Sequence, residues 1–200
     1  MAYDRELLVH KLQRWEDYIQ NYHLPEWDTI PNFGLYMDQV IVLLQQYLSF
    51  IPTSPDGKDS FVTASAINNY VRLKVMPAPV KRKYGRVHIA YIMMILMLKL
   101  SMSISDIQRL LPSEMSEAQV HAAYEEYAKN FRRMALTFTQ QVHNAAEKLQ
   151  APSSSADTAA TGLIIEYALT AGFNSLMAEK LIRLADADSE AVLAAETQQQ

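Results

Sequence analysis

Ten consecutive apolar residues, Ile89 to Leu98, run without a charge through the middle of this 200-residue chain. A segment that is hydrophobic on every side has no face to offer to water, so whatever the chain folds into must surround it. The run is half of the roughly 20 residues that a membrane span needs, so a core helix is expected and a membrane partner is not. Extended from Arg86 to Leu100, it reads as a buried helix carrying Val87, Ile89, Ala90, Ile92, Met93, Ile95, Leu96 and Leu100. Only five glycines occur, and Leu, Ala, Met, Gln and Glu are abundant, so the expected class is all-α. The chain has no cysteine. Disulfides and thiolate metal sites are therefore excluded, as suits a reducing compartment. The opening residues, Met1 to Glu6, lack the pattern of a secretory signal, and a cytoplasmic protein is expected.

The segments around the central helix are amphipathic. Leu8, Leu12, Trp15, Ile19 and Tyr22 recur at spacings of four and three, on a helix opening at Asp4 as N-cap. Pro25 and Pro31 break the next stretch into a loop. A second helix is expected from about Leu35 to Ser49, burying Tyr36, Val40, Leu43, Leu44, Tyr47 and Leu48. Pro52 to Ser60 holds two prolines and a glycine and reads as a hinge. Thr63 caps a short helix reaching Val75, with Ala64, Ile67, Tyr70 and Val71 on one side and Ser65, Asn68, Asn69 and Arg72 on the other. Pro77 and Pro79 close it, and Lys81, Arg82, Lys83, Tyr84 and Gly85 form a basic loop or β-turn. Ser103 to Asp106 is a capping signature for another short helix, stopped by Pro112.

Charge is distributed unevenly over these parts. The window from Ser60 to Ser105 carries seven of the 18 basic residues and none of the 22 acidic ones, in a chain of net charge -4. Lys and Arg clustered without carboxylates gain counterion-release free energy on a polyphosphate, so double-stranded DNA is the expected partner. The helix ahead of the basic loop fits that partner, because Asn pairs bidentately with adenine and Arg with guanine. Thr63, Ser65, Asn68, Asn69 and Arg72 are the candidate groove residues, and Lys81, Arg82, Lys83, Tyr84 and Arg86 the candidate phosphate contacts. Lys74 is expected toward the core side of its helix.

The order of parts resembles the MerR-type winged helix-turn-helix family. Val62 to Met76 follows that family's second helix and its exit, with Ile67, Tyr70 and Arg72-Leu73 at matching places. Ser103 to Leu111 is similar to its closing helix. Lys74 stands where the family has a turn glycine and Asn68 where it has an Arg. The wing is shorter, and the family's first helix is not recognisable upstream. A wider resemblance covers about residues 24 to 111. Leu24-Pro-Glu-Trp27, Leu35 to Val40, Ile67 to Val71, Pro79 to Tyr84 and Arg86 to Tyr91 are, in this order, similar to a bacterial family of uncharacterised proteins, domain of unknown function 1836. The resemblance implies a MerR-like winged helix-turn-helix, with at most a small β-wing, in a suspected regulator of transcription.

Two regions follow from this reading: 1–112, the N-terminal helices with the DNA-binding part, and 113–200, a helical dimerisation or effector region with a tail disordered from about 186. Within the second, Val120, Tyr124, Tyr127, Phe131, Met134, Phe138, Val142, Ala145 and Leu149 draw a stripe about thirty residues long. Such a stripe serves as a homodimer seam or as internal packing. Its aromatic and Met content favours packing, since coiled-coil seams prefer Leu, Ile and Val. Ala151 to Asp157 is a linker, and Leu163 to Leu184 is a very apolar helix with a bend expected near Gly172. A small-molecule effector would sit among Tyr124, Tyr127, Phe131, Phe138 and Phe173.

No catalytic pattern is present. His10, His23, His88, His121 and His143 are scattered, without a His-Glu-x-x-His pair, and no nucleophile elbow, Walker loop or dinucleotide turn occurs. No enzyme activity, metal or cofactor is therefore expected. Beside the DNA-binding regulator stand two alternatives: first a protein-interaction module that docks an acidic partner on the same basic surface, and after it a ligand sensor whose C-terminal helices enclose an apolar effector.

Overall fold

The computed structural model describes residues 2–51, 61–151 and 155–185. The hinge expected from Pro52 to Ser60 and the tail expected from 186 lie outside them. Among these residues seven α-helices follow in order: α1 (Arg5–Asn21), α2 (Met37–Tyr47), α3 (Ala64–Arg72), α4 (Arg86–Leu98), α5 (Ile104–Leu110), α6 (Glu117–Gln150) and α7 (Ala156–Leu184). One 3-10 turn, Trp27–Thr29, sits between α1 and α2. Among the described residues the fold is all-helical, and none of its helices is long and apolar enough to cross a membrane.

Short polar side chains open five of these helices by accepting a hydrogen bond from an otherwise unpaired backbone N–H. Asp4 accepts from the Leu7 N–H, Thr63 from Ala66 and Ser103 from Asp106, each at 3.1 Å. Ser116 and Ser155 do the same for α6 and α7. The helix expected to reach Val75 ends three residues earlier, at Arg72.

The chain packs around α4. Every residue from Ile89 to Leu96 is at most 3% exposed, so this helix is covered on all sides. Its cover comes from Val40, Leu44 and Leu48 of α2 and its exit, Ile67 and Tyr70 of α3, Ile107 of α5, and Val120 and Tyr124 of α6. Trp27, Ile30 and Leu35 complete that core. At roughly 1.5–3 kcal/mol for each large side chain removed from water, α4 alone contributes much of the driving force for folding.

A second cluster joins α1 to the C-terminal helices, through Val9, Ala145, Ala146, Leu149, Ala160 and Leu163. α1 runs antiparallel along α6: Trp15 meets Phe138 edge-on at 5.1 Å, Tyr22 meets Phe131 at 5.9 Å, and the Arg5 guanidinium donates to the Ala151 carbonyl at 2.6 Å. Packing thus groups α1 with α6 and α7, whereas the sequence reading placed it with residues 1–112. The aromatic stripe of α6 is filled from within the chain, by α1 at one end and the first core at the other.

Candidate nucleic-acid interface

The polar side of α3 is open. Ser65, Asn68 and Arg72 are exposed, while Asn69 is half-buried and accepts a 2.6 Å hydrogen bond from the Arg72 guanidinium. Thr63 is exposed, with its hydroxyl occupied as the cap. No described element covers this side, and Ile67 and Tyr70 anchor the opposite one in the core.

α3 ends in a Schellman motif. The Val75 N–H donates to the Tyr70 carbonyl at 2.9 Å, and the Lys74 N–H to that of Val71 at 3.0 Å. This pattern requires a left-handed residue between the two, and Lys74 supplies it with φ 55°. Lys74 is exposed, not turned toward the core as the sequence suggested. The side chain of Gln108, on α5, donates to the adjacent Leu73 carbonyl at 2.6 Å.

The basic loop is a two-residue turn. Val80 and Lys83 exchange backbone hydrogen bonds of 3.1 and 2.9 Å, and between them Lys81 and Arg82 have φ 51° and 64°. Positive φ at both central positions defines a type I′ turn, which Asn-Gly adopts with least strain. The next residue, Tyr84, pairs with Leu35 through two 2.9 Å hydrogen bonds, tying the turn to the entry of α2. Gly34 permits this approach, because a Cβ there would lie 2.7 Å from that of Lys83. His88 fixes the base: its Nδ1 accepts from the Gly85 N–H and its Nε2 faces the Ala78 carbonyl, both at 3.1 Å.

The structure divides the residues proposed as phosphate contacts. Lys81, Arg82 and Lys83 are exposed, with the Lys83 ammonium 5.3 Å from the Tyr36 ring centre. Arg86 turns inward. Its guanidinium donates to the Ile30 carbonyl at 3.0 Å, pairs with Asp28 at 3.4 Å and lies over Trp27, leaving the side chain 15% exposed. Tyr84 is buried, and burial pushes its hydroxyl above the ordinary tyrosine range. Arg86 and Tyr84 therefore lie on the inner side of the turn. Lys74 takes their place as an exposed cation.

The five rings expected around an effector do not share a chamber. Tyr124, Tyr127 and Phe131 follow one another along α6, Phe138 pairs with Trp15, and Phe173 is 69% exposed. A different cavity, of about 450 Å³, opens between α1, α6 and α7, lined by Leu12, Trp15, Phe138, Val142, Ala145 and Tyr167 among others. Among the described residues, no group of three or more His, Asp or Glu side chains is placed to hold a metal ion.

The family model described as Domain of unknown function (DUF1836) matches residues 25–130, just over half of the chain. No curated protein matches the chain, and no solved structure matches it. The matched segment contains α3, the basic turn and every buried residue of the core around α4. This chain belongs to the family described as Domain of unknown function (DUF1836).

Proposed function

We propose that the protein is a DNA-binding regulator of transcription, with α3 as the reading helix and the Val80–Lys83 turn as a reduced wing in a MerR-like winged helix-turn-helix. The observation that carries this reading is the backbone beneath the charge. Among the described residues Lys74, Lys81 and Arg82 are the non-glycine residues with positive φ, and all three are cations. A side chain in the left-handed region costs roughly 1–2 kcal/mol relative to glycine, and the type I′ turn has no use for positive charge, whereas a cation at the Schellman position recovers part of that cost, about 0.3–1 kcal/mol, from the helix C-terminus. Three such positions occupied by Lys and Arg fit selection for charge against stability, as strain retained at a functional site does.

In this reading Ser65, Asn68 and Arg72 meet base edges, and Lys74, Lys81, Arg82 and Lys83 hold phosphates. Thr63 and Asn69 set the position of α3. Few phosphates are held by one copy, so useful affinity calls for a homodimer on two half-sites. A small apolar effector would occupy the cavity between α1, α6 and α7. The inward turn of Arg86 favours the protein-docking alternative to some degree, because it leaves fewer outward cations for a duplex than for an acidic protein segment.

The test exploits the strain. Replacing Lys81-Arg82 by Asn-Gly gives the turn its preferred residues, so the variant gains about 1–2 kcal/mol of stability. It loses two phosphate contacts per copy, so binding of the dimer to genomic fragments in a mobility shift weakens and its log-log salt dependence flattens by about four. Undiminished binding by that variant would refute the wing role. A partner captured equally well from nuclease-treated lysate would favour the protein-docking alternative.

A further inference from the structure

The helix α7 carries an apolar face that none of the described residues covers. Only Ala160 and Leu163 of its residues are buried, while seven large apolar side chains from Ile165 to Leu184 share one side and stand 48–69% exposed. They amount to roughly 700 Å² of uncovered surface, beyond the usual apolar patch of a monomer and close to one partner's share of a standard interface. α7 is nevertheless held in place on its other side. Its Tyr167 hydroxyl donates to the Gln141 carbonyl at 2.9 Å, Glu166 pairs with Lys148 at 2.9 Å, and the Ser175 hydroxyl donates to the Ser101 carbonyl at 2.6 Å. The face is therefore fixed in direction as well as exposed.

The order of side chains along it names the occupant. Ile165, Leu169, Phe173, Met177 and Leu181 are all exposed, four residues apart, and form one i±4 ridge with Phe173 at its midpoint. Turned end for end about Phe173, the ridge maps onto itself: Ile165 falls opposite Leu181, Leu169 opposite Met177, and Phe173 opposite its own copy. A surface that matches itself under a two-fold rotation is what an isologous dimer requires.

Gly172 gives an independent reason. Glycine is the poorest helix former after proline, yet it stands in the interior of α7, where an added Cβ would meet nothing within 4 Å. The described residues give no packing reason for a glycine there. Beside the two-fold axis, the missing side chain leaves room for the Phe173 ring of the other copy.

We infer that α7 pairs with α7 of a second copy, antiparallel and crossing at Phe173, in the packing class where two i±4 ridges interlock. The inference stands on α7 alone and is independent of DNA binding. It also locates the dimer on a different helix from the aromatic stripe of α6, which is occupied within the chain.

The experiment uses the whole chain without DNA. Light scattering after size exclusion is expected to give twice the 22.7 kDa of one chain. Phe173→Glu is expected to halve that mass and leave the circular dichroism and thermal midpoint of the monomer intact, since the ring is 69% exposed. Because the protein has no cysteine, register is read by single introduced thiols. Under mild oxidation, Phe173→Cys forms a disulfide-linked dimer. Ile165→Cys does so only when mixed with Leu181→Cys. A monomeric mass for the unmodified chain overturns the inference, as does a dimer that survives Phe173→Glu. Self-linking of Ile165→Cys as readily as of Phe173→Cys overturns the antiparallel register.

Discussion

Lys74 follows the last turn of α3 with φ 55°, a conformation in which a side chain crowds the backbone and a hydrogen atom does not. Lys74→Gly is therefore expected to raise stability by about 1 kcal/mol, seen as a higher urea midpoint with an unchanged slope. The same substitution is expected to weaken binding to DNA fragments. A loss of stability would show that the lysine stem packs on the fold and would remove the strain argument at this position. Residue-level roles were partly legible in the sequence. Exposure of Ser65, Asn68 and Arg72 follows from helical periodicity, because Ile67 and Tyr70 dictate which side faces the core. The inward turn of Arg86 does not, because it depends on Asp28 and Ile30, more than fifty residues away. The left-handed backbone at Lys81 and Arg82 was hidden for another reason: neither residue type signals that conformation.

Among the elements, α4 carries the heaviest consequence for mutation. Met93 is fully buried on a helix covered from every side, so Met93→Ala is expected to cost about 2–5 kcal/mol, with the larger value if the cavity cannot collapse. Thermal or urea denaturation measures it, and a cost under 1 kcal/mol would contradict the central position of α4. This helix was readable as buried because no arrangement of an all-round apolar segment leaves it wet. The stripe on α6 was readable too, and Trp27, Tyr22 and Phe50 meet Tyr124 and Phe131 on it from within the chain. α7 was the least legible. Its composition suggests a buried helix, whereas most of its apolar residues face outward. Hydrophobicity says that a surface needs a partner, and leaves open whether the partner is the same chain. Its midpoint symmetry becomes meaningful only once the uncovered side is known.

For the whole molecule, buried phenols set an upper limit of pH. Tyr91, which donates to the Pro112 carbonyl at 2.5 Å, is pushed up to about 12, first by burial and then by Glu114. Burial likewise holds Tyr22, Tyr124 and Tyr127 far above the ordinary range. These groups keep their protons in the folded state, while an unfolded chain begins to lose them near pH 10. Their contribution to stability is complete below about pH 10 and is lost as pH rises toward 12 and beyond. Tyrosinate absorbance and loss of helical dichroism are expected to coincide in one alkaline step. Gradual ionisation of every phenol with the helices intact would contradict the burial. The Leu35–Tyr84 pairing has a mechanical consequence for the same molecule. Two hydrogen bonds splice the basic turn to the entry of α2, so the turn works as a handle on the core and has no freedom to swing as a flap. An anion gripping that handle would brake local opening of α2 and α4 alike, and slower exchange of their amide protons would register the grip far from the contact itself.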